Sequence, residues 1–441
     1  MPKRRRIKVI ATGGTIASTP TRDGLVPTLS GEEVLDCVPS VREIADLSVV
    51  NPFATKDRSG LDSTNIHHEE HVVIANEIVK AMIEGYDAAA ILHGTWTMAQ
   101  SASAIAFMLP FRSDFRVGYT GSGIPIVDRN NDAVENVYTL MRFLAREGDY
   151  DGTYIIFNRG RKIILATRAF AAKPNQIVER NGRSCIQPHE DEFDSVNFWY
   201  VRNYDCPEEQ MTAKGRKKHF RRQRHLSNYF RRRFDAEEGI EKPIRFLGWR
   251  DVGHVRLTTQ YNPEEMEKYL ERRYGGVVIE CPGSGGVSDK PEYLSAFPVI
   301  EKLTRNGKVV IMTADSPYGI ANIDYEPNSR GARAGGVLGY DTNSRIAHIK
   351  LGWACSMSED PEDVKAVFLY PIEGEIRSGL IPERHRPVRD RVYDVLLNSL
   401  RSGKNRYTNG ALNGNSNGSV KGGRIPPQSE TSSAGFYSNV V

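Results

Sequence analysis

The sequence predicts an α/β protein with two domains, each built on a parallel sheet that is flanked by helices. Short apolar runs of strand length alternate with helical periodicity through the first 160 residues, and the same alternation begins again near residue 244. This alternation is typical of parallel sheets, which bind ligands at the carboxyl ends of their strands. The length of 441 residues suits two or three domains.

The N-terminal elements follow one another in a regular order. Strands are predicted where short apolar runs end in glycine or polar residues. Helices are predicted where apolar residues recur every three or four positions. The predicted strands are IKVIAT (7–12), DAAAILHGT (87–95) and FRVGYTGSG (115–123, strand into loop), the predicted helices are 69–85, 97–109 and 132–148, and 152–167 is predicted to form a hairpin.

The second set of elements has the same plan. MEKYLERRYGGVVIECPGSGG predicts a helix, a strand and a glycine-rich loop, FPVIEKLTRNGKVVIMTADSPYG repeats the plan, and 343–356 predicts one more helix. The tail is rich in Gly, Asn and Ser, which predicts disorder because it has little apolar surface to bury. The predicted organisation is a larger N-terminal domain at 1–204, a basic insertion or linker at 205–243, a smaller C-terminal domain at 244–400 and a disordered tail at 401–441.

Composition narrows the class of protein. The 59 basic and 55 acidic residues nearly balance, so no global attraction to nucleic acid is expected. Five scattered cysteines without a CxxC pair indicate reduced thiols and a reducing compartment. No apolar run approaches the roughly 18 residues of a spanning helix. We therefore expect a soluble cytoplasmic protein without membrane association.

Three loops carry polar groups after predicted strands or before a helix. TGGT (12–15) and HGTWT (93–97) both leave an apolar run through glycine into threonine, and GLDSTN (60–65) offers further hydroxyls. GxGxxG and GxxxxGK[ST] are both absent, which disfavours a phosphate cradle. An alternative interpretation of TGGT also remains, in which it is only a glycine turn that allows tight strand-to-helix packing. Because such loops lie at one edge of a parallel sheet, Thr15 and Thr95 are predicted to face one pocket.

The ordered motifs TGGTIA, DSTN, HGTxTM, YTGSG and NNDAVEN resemble the signature of bacterial-type L-asparaginases. GGVVIECPGSGGVSD and DTNSRIAHIKLGW are similar to the second domain of that family, so the resemblance covers about 7–200 and 244–372. It implies the asparaginase fold and hydrolysis of a side-chain amide of asparagine or glutamine, without a metal or a cofactor. It also implies a homo-oligomer, a dimer or tetramer, in which the partner's second domain completes each pocket.

The resemblance also implies the roles of individual residues. Thr15 matches the nucleophile, and Thr95 matches the second threonine, which works with a following aspartate and a lysine from a later strand. Ser63 matches the serine that holds the substrate carboxylate, and we expect Thr64 to help. Gly14 and Gly94 provide glycine-rich backbone whose N–H groups can stabilise an oxyanion by about 3 kcal/mol each.

Two positions depart from the family pattern. Trp96 stands where the family has the aspartate that binds the α-ammonium group, and an indole accepts no hydrogen bond. The family spacing places the lysine at Ala172, whereas the chain has Lys173, which a strand would point to the opposite face. A β-bulge would restore it. Two accounts follow: an amidohydrolase for a substrate without a free α-amine that stacks on Trp96, or an impaired enzyme whose pocket only binds.

Two further segments are candidate sites. His67 and His71 in HHEEH have a zinc-like spacing, but the motif does not fit HExxH, and a solvated helix start is favoured. Segment 214–233 contains ten Lys or Arg, two His and no acid, together with Phe220, Tyr229 and Phe230. It predicts either a helix docked on an acidic neighbour or, less favoured, an RNA contact.

A related family offers an alternative interpretation. The archaeal tRNA-dependent amidotransferase subunit carries a similar domain, usually behind an extra domain. With eleven residues before Thr12, the sequence favours the asparaginase interpretation over the amidotransferase interpretation.

Overall fold

In the computed structural model, the apolar runs of the N-terminal half form one six-stranded sheet. Its strand order is β4-β1-β5-β6-β7-β8, and every pairing is parallel except the hairpin of β7 with β8. The strands are β1 (Arg6–Ala11), β4 (Asp46–Val50), β5 (Ala88–Leu92), β6 (Arg116–Thr120), β7 (Gly152–Phe157) and β8 (Lys162–Leu165). The structure describes residues 4–22, 24–110, 115–146, 152–160, 162–172, 197–200, 230, 233–234, 243–316, 319–376 and 378–402.

Helices cover this sheet, and apolar clusters fill the space on both of its faces. The helix α3 begins with Glu70 accepting a hydrogen bond from the His67 backbone N–H at 2.8 Å, and it buries one apolar stripe against the sheet. The helices are α1 (Gly31–Asp36), α2 (Val41–Ile44), α3 (His68–Ile83), α4 (Met98–Met108) and α5 (Ala133–Ala145). Four short strands form two further antiparallel pairs, β2 (Ser18–Thr21) with β3 (Gly24–Pro27) and β9 (Ala169–Ala172) with β10 (Asn197–Tyr200).

The strand order creates a switch point between β1 and β5. The chain leaves β1 toward β4 on one side, whereas it leaves β5 toward β6 on the other. Open α/β sheets bind their ligands at the carboxyl ends of the strands beside such a switch point, which is where the loops that follow β1 and β5 lie.

The C-terminal half forms a four-stranded parallel sheet of order β11-β12-β13-β14 with its own apolar core. The predicted helix at 343–356 is confirmed as Ser344–Met357. Asn343 caps its N-terminus, because the Asn343 side chain accepts a hydrogen bond from the Arg345 backbone N–H. The elements are β11 (Val252–Arg256), β12 (Gly276–Cys281), β13 (Val309–Ala314), β14 (Val337–Leu338), α6 (Phe297–Arg305), α7 (Glu326–Arg333), α8 (Ser344–Met357), α9 (Pro361–Leu369) and α10 (Arg389–Arg401), with a 3₁₀ helix at Pro263–Leu270 where the MEKYLERR segment predicts a helix.

Buried charges join the two halves. Arg168, which is 1% exposed, donates from Nε to the Gly374 carbonyl at 2.6 Å and pairs with the Asp341 carboxylate at 3.2 Å. In the C-terminal half the fully buried Lys350 pairs with Glu375. Because buried charges are tolerated only when they are paired, the contacts of Arg168 link the two halves, whereas the Lys350–Glu375 pair lies within the C-terminal half.

The predicted two-domain α/β fold with a parallel sheet and flanking helices is confirmed, and the described residues between 4 and 402 belong to one compact unit. None of the described helices has the length and apolar character needed to cross a membrane. The predicted domain boundaries stay predictions. Most of the basic segment 205–243 and the tail beyond residue 402 lie outside the described residues.

Candidate active site

The loops after β1 and β5 touch through glycine. An ideal Cβ on Gly14 would lie 2.2 Å from the Cα of Gly94, and the φ angle of Gly14 is 79°, a left-handed conformation that favours glycine. The Thr12 N–H and hydroxyl both donate to the Leu92 carbonyl at 2.9 Å. The two glycines therefore allow a backbone contact that a side chain would prevent.

This contact brings the two predicted threonines to one part of the sheet edge. Thr15 follows Gly14, opens a single 3₁₀ turn (Thr15–Ala17) and is half-buried. Thr95 follows Gly94 and is 2% exposed. The sequence prediction that both loops meet at one edge is confirmed in the backbone, and the catalytic roles of Thr15 and Thr95 stay predictions.

The Ser63 turn packs directly against this contact. A Cβ on Gly94 would lie 2.7 Å from the Ser63 Cβ, and the Thr97 hydroxyl donates to the Ser63 carbonyl at 2.7 Å. The Ser63 side chain is fully buried, and its Oγ has no hydrogen-bond partner within the described part of the chain. A buried hydroxyl without a partner is costly, so Ser63 is suited to hold a polar ligand atom.

Thr64 is bonded differently from Ser63. Its backbone N–H and its hydroxyl both donate to Asp62 Oδ1, at 2.8 and 2.7 Å, and Thr64 is exposed. Both of its donors are therefore engaged by Asp62 in this structure. The prediction that Thr64 helps to hold a substrate carboxylate stays a prediction.

A third loop, which follows β6, lies against the loop after β5 at Gly121. Asp132 accepts the backbone N–H groups of Gly123 and Ile124, at 3.0 to 3.1 Å, and Asn136 donates to the Gly121 carbonyl at 3.0 Å. Burial raises the pKa of Asp132. Ser122 lies in this loop and is fully buried, and its Oγ has no hydrogen-bond partner among the residues described.

Sequence reasoning does not single out this third loop as part of the site. A signal is present, because YTGSG and NNDAVEN are among the motifs that resemble the family. Their residues give no sign of function until the fold brings this loop against the loop after β5, where a Cβ on Gly121 would lie 2.2 Å from the His93 carbonyl oxygen.

Two histidines behind these loops are held neutral by burial. Burial lowers the pKa of His93 to about 4, and His93 Nδ1 donates to the Gly94 carbonyl at 2.7 Å. Burial lowers the pKa of His71 to about 3, and its Nε2 lies 3.0 Å from the Ser101 hydroxyl. His71 therefore serves the helix packing, and His67 is exposed at the helix start.

The two departures from the family pattern have different outcomes. Trp96 is 62% exposed, so its ring lies at the surface of the loop instead of in the core. Lys173 lies outside the described residues, because the range that contains β9 ends at Ala172. Its role in catalysis stays a prediction.

One aromatic residue of the basic segment is packed into the protein. Phe230 is fully buried against Tyr370 and Tyr393, and Arg233 pairs with Asp390. Of the two alternatives for Phe230, packing is therefore the one observed, and this ring is not free to stack on a base. Phe220 and Tyr229 lie outside the described residues.

Comparisons with known proteins agree with this architecture. The model of the family described as "Asparaginase, N-terminal" matches residues 6–178, and that of the "Glutaminase/Asparaginase C-terminal domain" matches residues 251–368. An L-asparaginase of Thermococcus kodakarensis is 30% identical over 84% of this chain and 99% of its own length. A glutamyl-tRNA(Gln) amidotransferase subunit of Pyrococcus horikoshii is 26% identical over 84% of this chain and 76% of its own length.

Solved structures agree as well. The thermostable L-asparaginase from Thermococcus kodakarensis superposes with a TM-score of 0.61 at 27% identity, covering 85% of this chain and 99% of its own. L-asparaginase I from Vibrio cholerae superposes with a TM-score of 0.61 at 21% identity, covering 85% of this chain and all of its own, and shows the fold alone.

The fold and the relatives together define the class of protein, an amidohydrolase-type enzyme on a two-domain α/β scaffold. Within this class the chain belongs to the asparaginase family, as a divergent member.

Proposed function

We propose that this protein releases ammonia from the side-chain amide of L-asparagine or a related small amide, with Thr15 as the nucleophile. The observation that carries the proposal is the contact of Gly14 with Gly94, because it places Thr15 and Thr95 on adjoining loops at the switch point of the sheet. Thr15 is half-buried, so the protein does not cover it completely.

The proposed reaction proceeds in two steps. The Thr15 hydroxyl attacks the amide carbon, the C–N bond breaks, and ammonia leaves with the hydroxyl proton, which gives an ester on Thr15. Water then attacks this ester, forms the carboxylic acid and regenerates the threonine, and Thr95 positions that water. The Gly14 N–H already donates to the Leu61 carbonyl at 2.9 Å, so in this proposal the other backbone N–H groups of the glycine loops stabilise the oxyanion, each by about 3 kcal/mol.

Ser63 supports the binding half of this proposal. Its buried Oγ lacks a partner within the described ranges and is suited to donate to a substrate carboxylate. The turn Ser63–Asn65 is anchored through the Thr97 hydroxyl, so Ser63 is held in one position before a ligand arrives.

Trp96 determines the class of substrate in this proposal. An α-ammonium group bound beside an indole instead of a carboxylate would lose its counter-charge, at a cost of several kcal/mol if buried. We therefore propose a substrate that lacks a free α-amine and stacks on the exposed ring of Trp96. The proposed assembly is a dimer or tetramer in the cytoplasm.

The rival function is binding of such a ligand without hydrolysis. The presence of Trp96 where the family has an aspartate favours this function as well. Ammonia release from a panel of amides distinguishes the two. The panel contains L-asparagine, L-glutamine and succinamic acid, which has no α-amine. L-glutamine is included because several relatives are subunits of a glutamyl-tRNA(Gln) amidotransferase.

Thr15→Ala is the decisive comparison, with Thr15→Ser as its matched control. We expect at least one amide to yield ammonia with the unaltered protein, none above background with Thr15→Ala, and partial activity with Thr15→Ser. If no amide yields more ammonia than with Thr15→Ala, while calorimetry still detects ligand binding, the binding function replaces the hydrolytic one.

A further inference from the structure

A cavity lies in the C-terminal half of the protein, at the amino ends of strands β12 and β13. It has a volume of about 200 Å³ and is bounded by these strand ends, the end of α8 and the start of α9. Its walls come from Arg250 and from residues of the segments 274–275, 306–309 and 355–364. Sites for larger organic ligands usually measure roughly 300–1,000 Å³, so this cavity suits a small ion.

Two cations in the wall are held by backbone carbonyls. The Arg250 guanidinium and Lys308 Nζ together donate to four consecutive carbonyls, those of residues 271–274, at 2.6 to 3.4 Å. Arginine has five N–H donors and lysine has three, so two bonds each leave three donors on Arg250 and one on Lys308. Because a carbonyl carries no net charge, these bonds fix the two side chains without neutralising them.

The positive charge at this cavity is not balanced by an ion pair. Neither Arg250 nor Lys308 has a carboxylate partner in the part of the chain that the structure describes. Lys308 is 8% exposed, and the charge of Arg250 adds to burial in lowering its pKa. Burial raises the pKa of the Cys355 thiol in the same wall to about 12, so this thiol is neutral at pH 7. A bound anion would therefore relieve the repulsion between the two cations.

One carboxylate opposes this charge. Glu359 is exposed, and it is the only acidic side chain among the described residues that form the cavity. We propose that the cavity binds a phosphate group, either as free phosphate or on a small phosphorylated molecule. Arginine can bond two oxygens of such a group at once, and lysine adds a point charge. The site does not rest on the proposed hydrolysis, because the threonine loops take no part in it.

Inorganic phosphate and glycerol 3-phosphate test the proposal, with acetate as an anion of lower charge. Each is titrated into the full-length protein by isothermal titration calorimetry in a phosphate-free chloride buffer. We expect at least one phosphate to bind about 10-fold or more tightly than acetate. The tighter of the two phosphates identifies the source of the group. Acetate binding as tightly, or no heat from either phosphate at millimolar concentrations, would overturn the proposal.

Two substitutions with opposite effects locate the binding. Lys308→Met removes one cation and should weaken phosphate about 10-fold or more, whereas Lys302→Met, which removes an exposed lysine paired with Glu267, should leave it unchanged. Glu359→Gln removes the opposing carboxylate and should strengthen phosphate binding about 2- to 5-fold. Glu383→Gln, at an exposed position that does not form the cavity, is its matched control.

The second substitution separates binding from folding. Lys308→Met also loses the bonds to the carbonyls of residues 271 and 274, so its effect includes any disturbance of that turn. A gain of affinity in Glu359→Gln has no such origin, and circular dichroism verifies the fold of each variant. Phosphate affinity that is unchanged in both Lys308→Met and Glu359→Gln would place the binding elsewhere and refute the site.

Discussion

Gly14 and Gly94 meet backbone to backbone across the switch point of the N-terminal sheet, so close that a Cβ on Gly14 would lie 2.2 Å from the Cα of Gly94. The contact joins the two threonine loops into one rigid unit. Everything proposed about catalysis requires this contact, because it places Thr15, together with the hydrogen bonds of Thr12 to Leu92, beside the loop that bears Thr95.

Replacing Gly14 with alanine should disrupt this unit. The added methyl group overlaps the Gly94 backbone, and the φ angle of 79° strains any side chain. We expect a loss of about 1–3 kcal/mol in the free energy of unfolding, together with loss of ammonia release. Urea denaturation and the ammonia assay measure both. Gly379→Ala is the matched control, because nothing lies within 4 Å of its Cβ position. Equal stability of the two variants would contradict the contact.

Restoring a carboxylate at position 96 should restore an affinity for free amino acids. Trp96→Asp returns the counter-charge for an α-ammonium group, and we expect the kcat/KM for L-asparagine to rise about 10-fold or more relative to succinamic acid. Trp96→Asn is the control, since asparagine has the size of aspartate without its negative charge. If both variants have the same kcat/KM for L-asparagine relative to succinamic acid, Trp96 does not determine the substrate class.

Acid should destabilise the protein through its buried histidines. The native pKa values of His71 and His93, about 3 and about 4, lie below the value of about 6.5 in an unfolded chain. Below pH 6.5 the unfolded state therefore binds more protons, and stability falls as the pH falls, by about 1.4 kcal/mol per pH unit for each histidine. The loss continues until the pH reaches each native pKa.

Urea denaturation between pH 7.5 and pH 4.5 measures this slope. His71→Gln places an amide nitrogen near the position of Nε2, which lies 3.0 Å from the Ser101 hydroxyl, and removes one titrating group. We expect the free energy of unfolding of this variant to fall with pH less steeply than that of the unaltered protein, by about 1.4 kcal/mol per pH unit. Superimposable slopes would show that His71 titrates normally in the folded protein.

The Lys350–Glu375 pair should be strongly coupled. Lys350 also donates to the Phe368 and Tyr370 carbonyls at 2.6 Å, and both charged side chains are fully buried. Lys350→Met leaves the Glu375 carboxylate without its counter-ion and should cost about 3–5 kcal/mol. Adding Glu375→Gln to Lys350→Met should recover part of that loss, as thermal or urea denaturation would show.

An exposed pair provides the comparison. Lys365 pairs with Glu362 at 2.7 Å near the surface. Lys365→Met should cost no more than about 1 kcal/mol. Similar costs for Lys350→Met and Lys365→Met would mean that the buried pair is solvated.

Local patterns predict most of the N-terminal sheet, with one omission. The strand Asp46–Val50 is not predicted, because it lies at the sheet edge and contains no fully buried residue, so its pattern lacks a clear apolar run. The short helices α1 and α2 are missed in the same region. The helix expected near Tyr269 is a 3₁₀ helix, a distinction that apolar spacing does not make over so few residues.

The sequence by itself determined the alternation of strands and helices and the glycine–threonine loops, because both depend on neighbours within a few residues along the chain. Only the tertiary structure decided which loops touch. The contact of Gly14 with Gly94, the packing of Ser63 against Gly94 and the approach of Gly121 to the His93 carbonyl join residues that are far apart in sequence. Such contacts depend on strand order and on the packing of the two halves, and no local pattern encodes either.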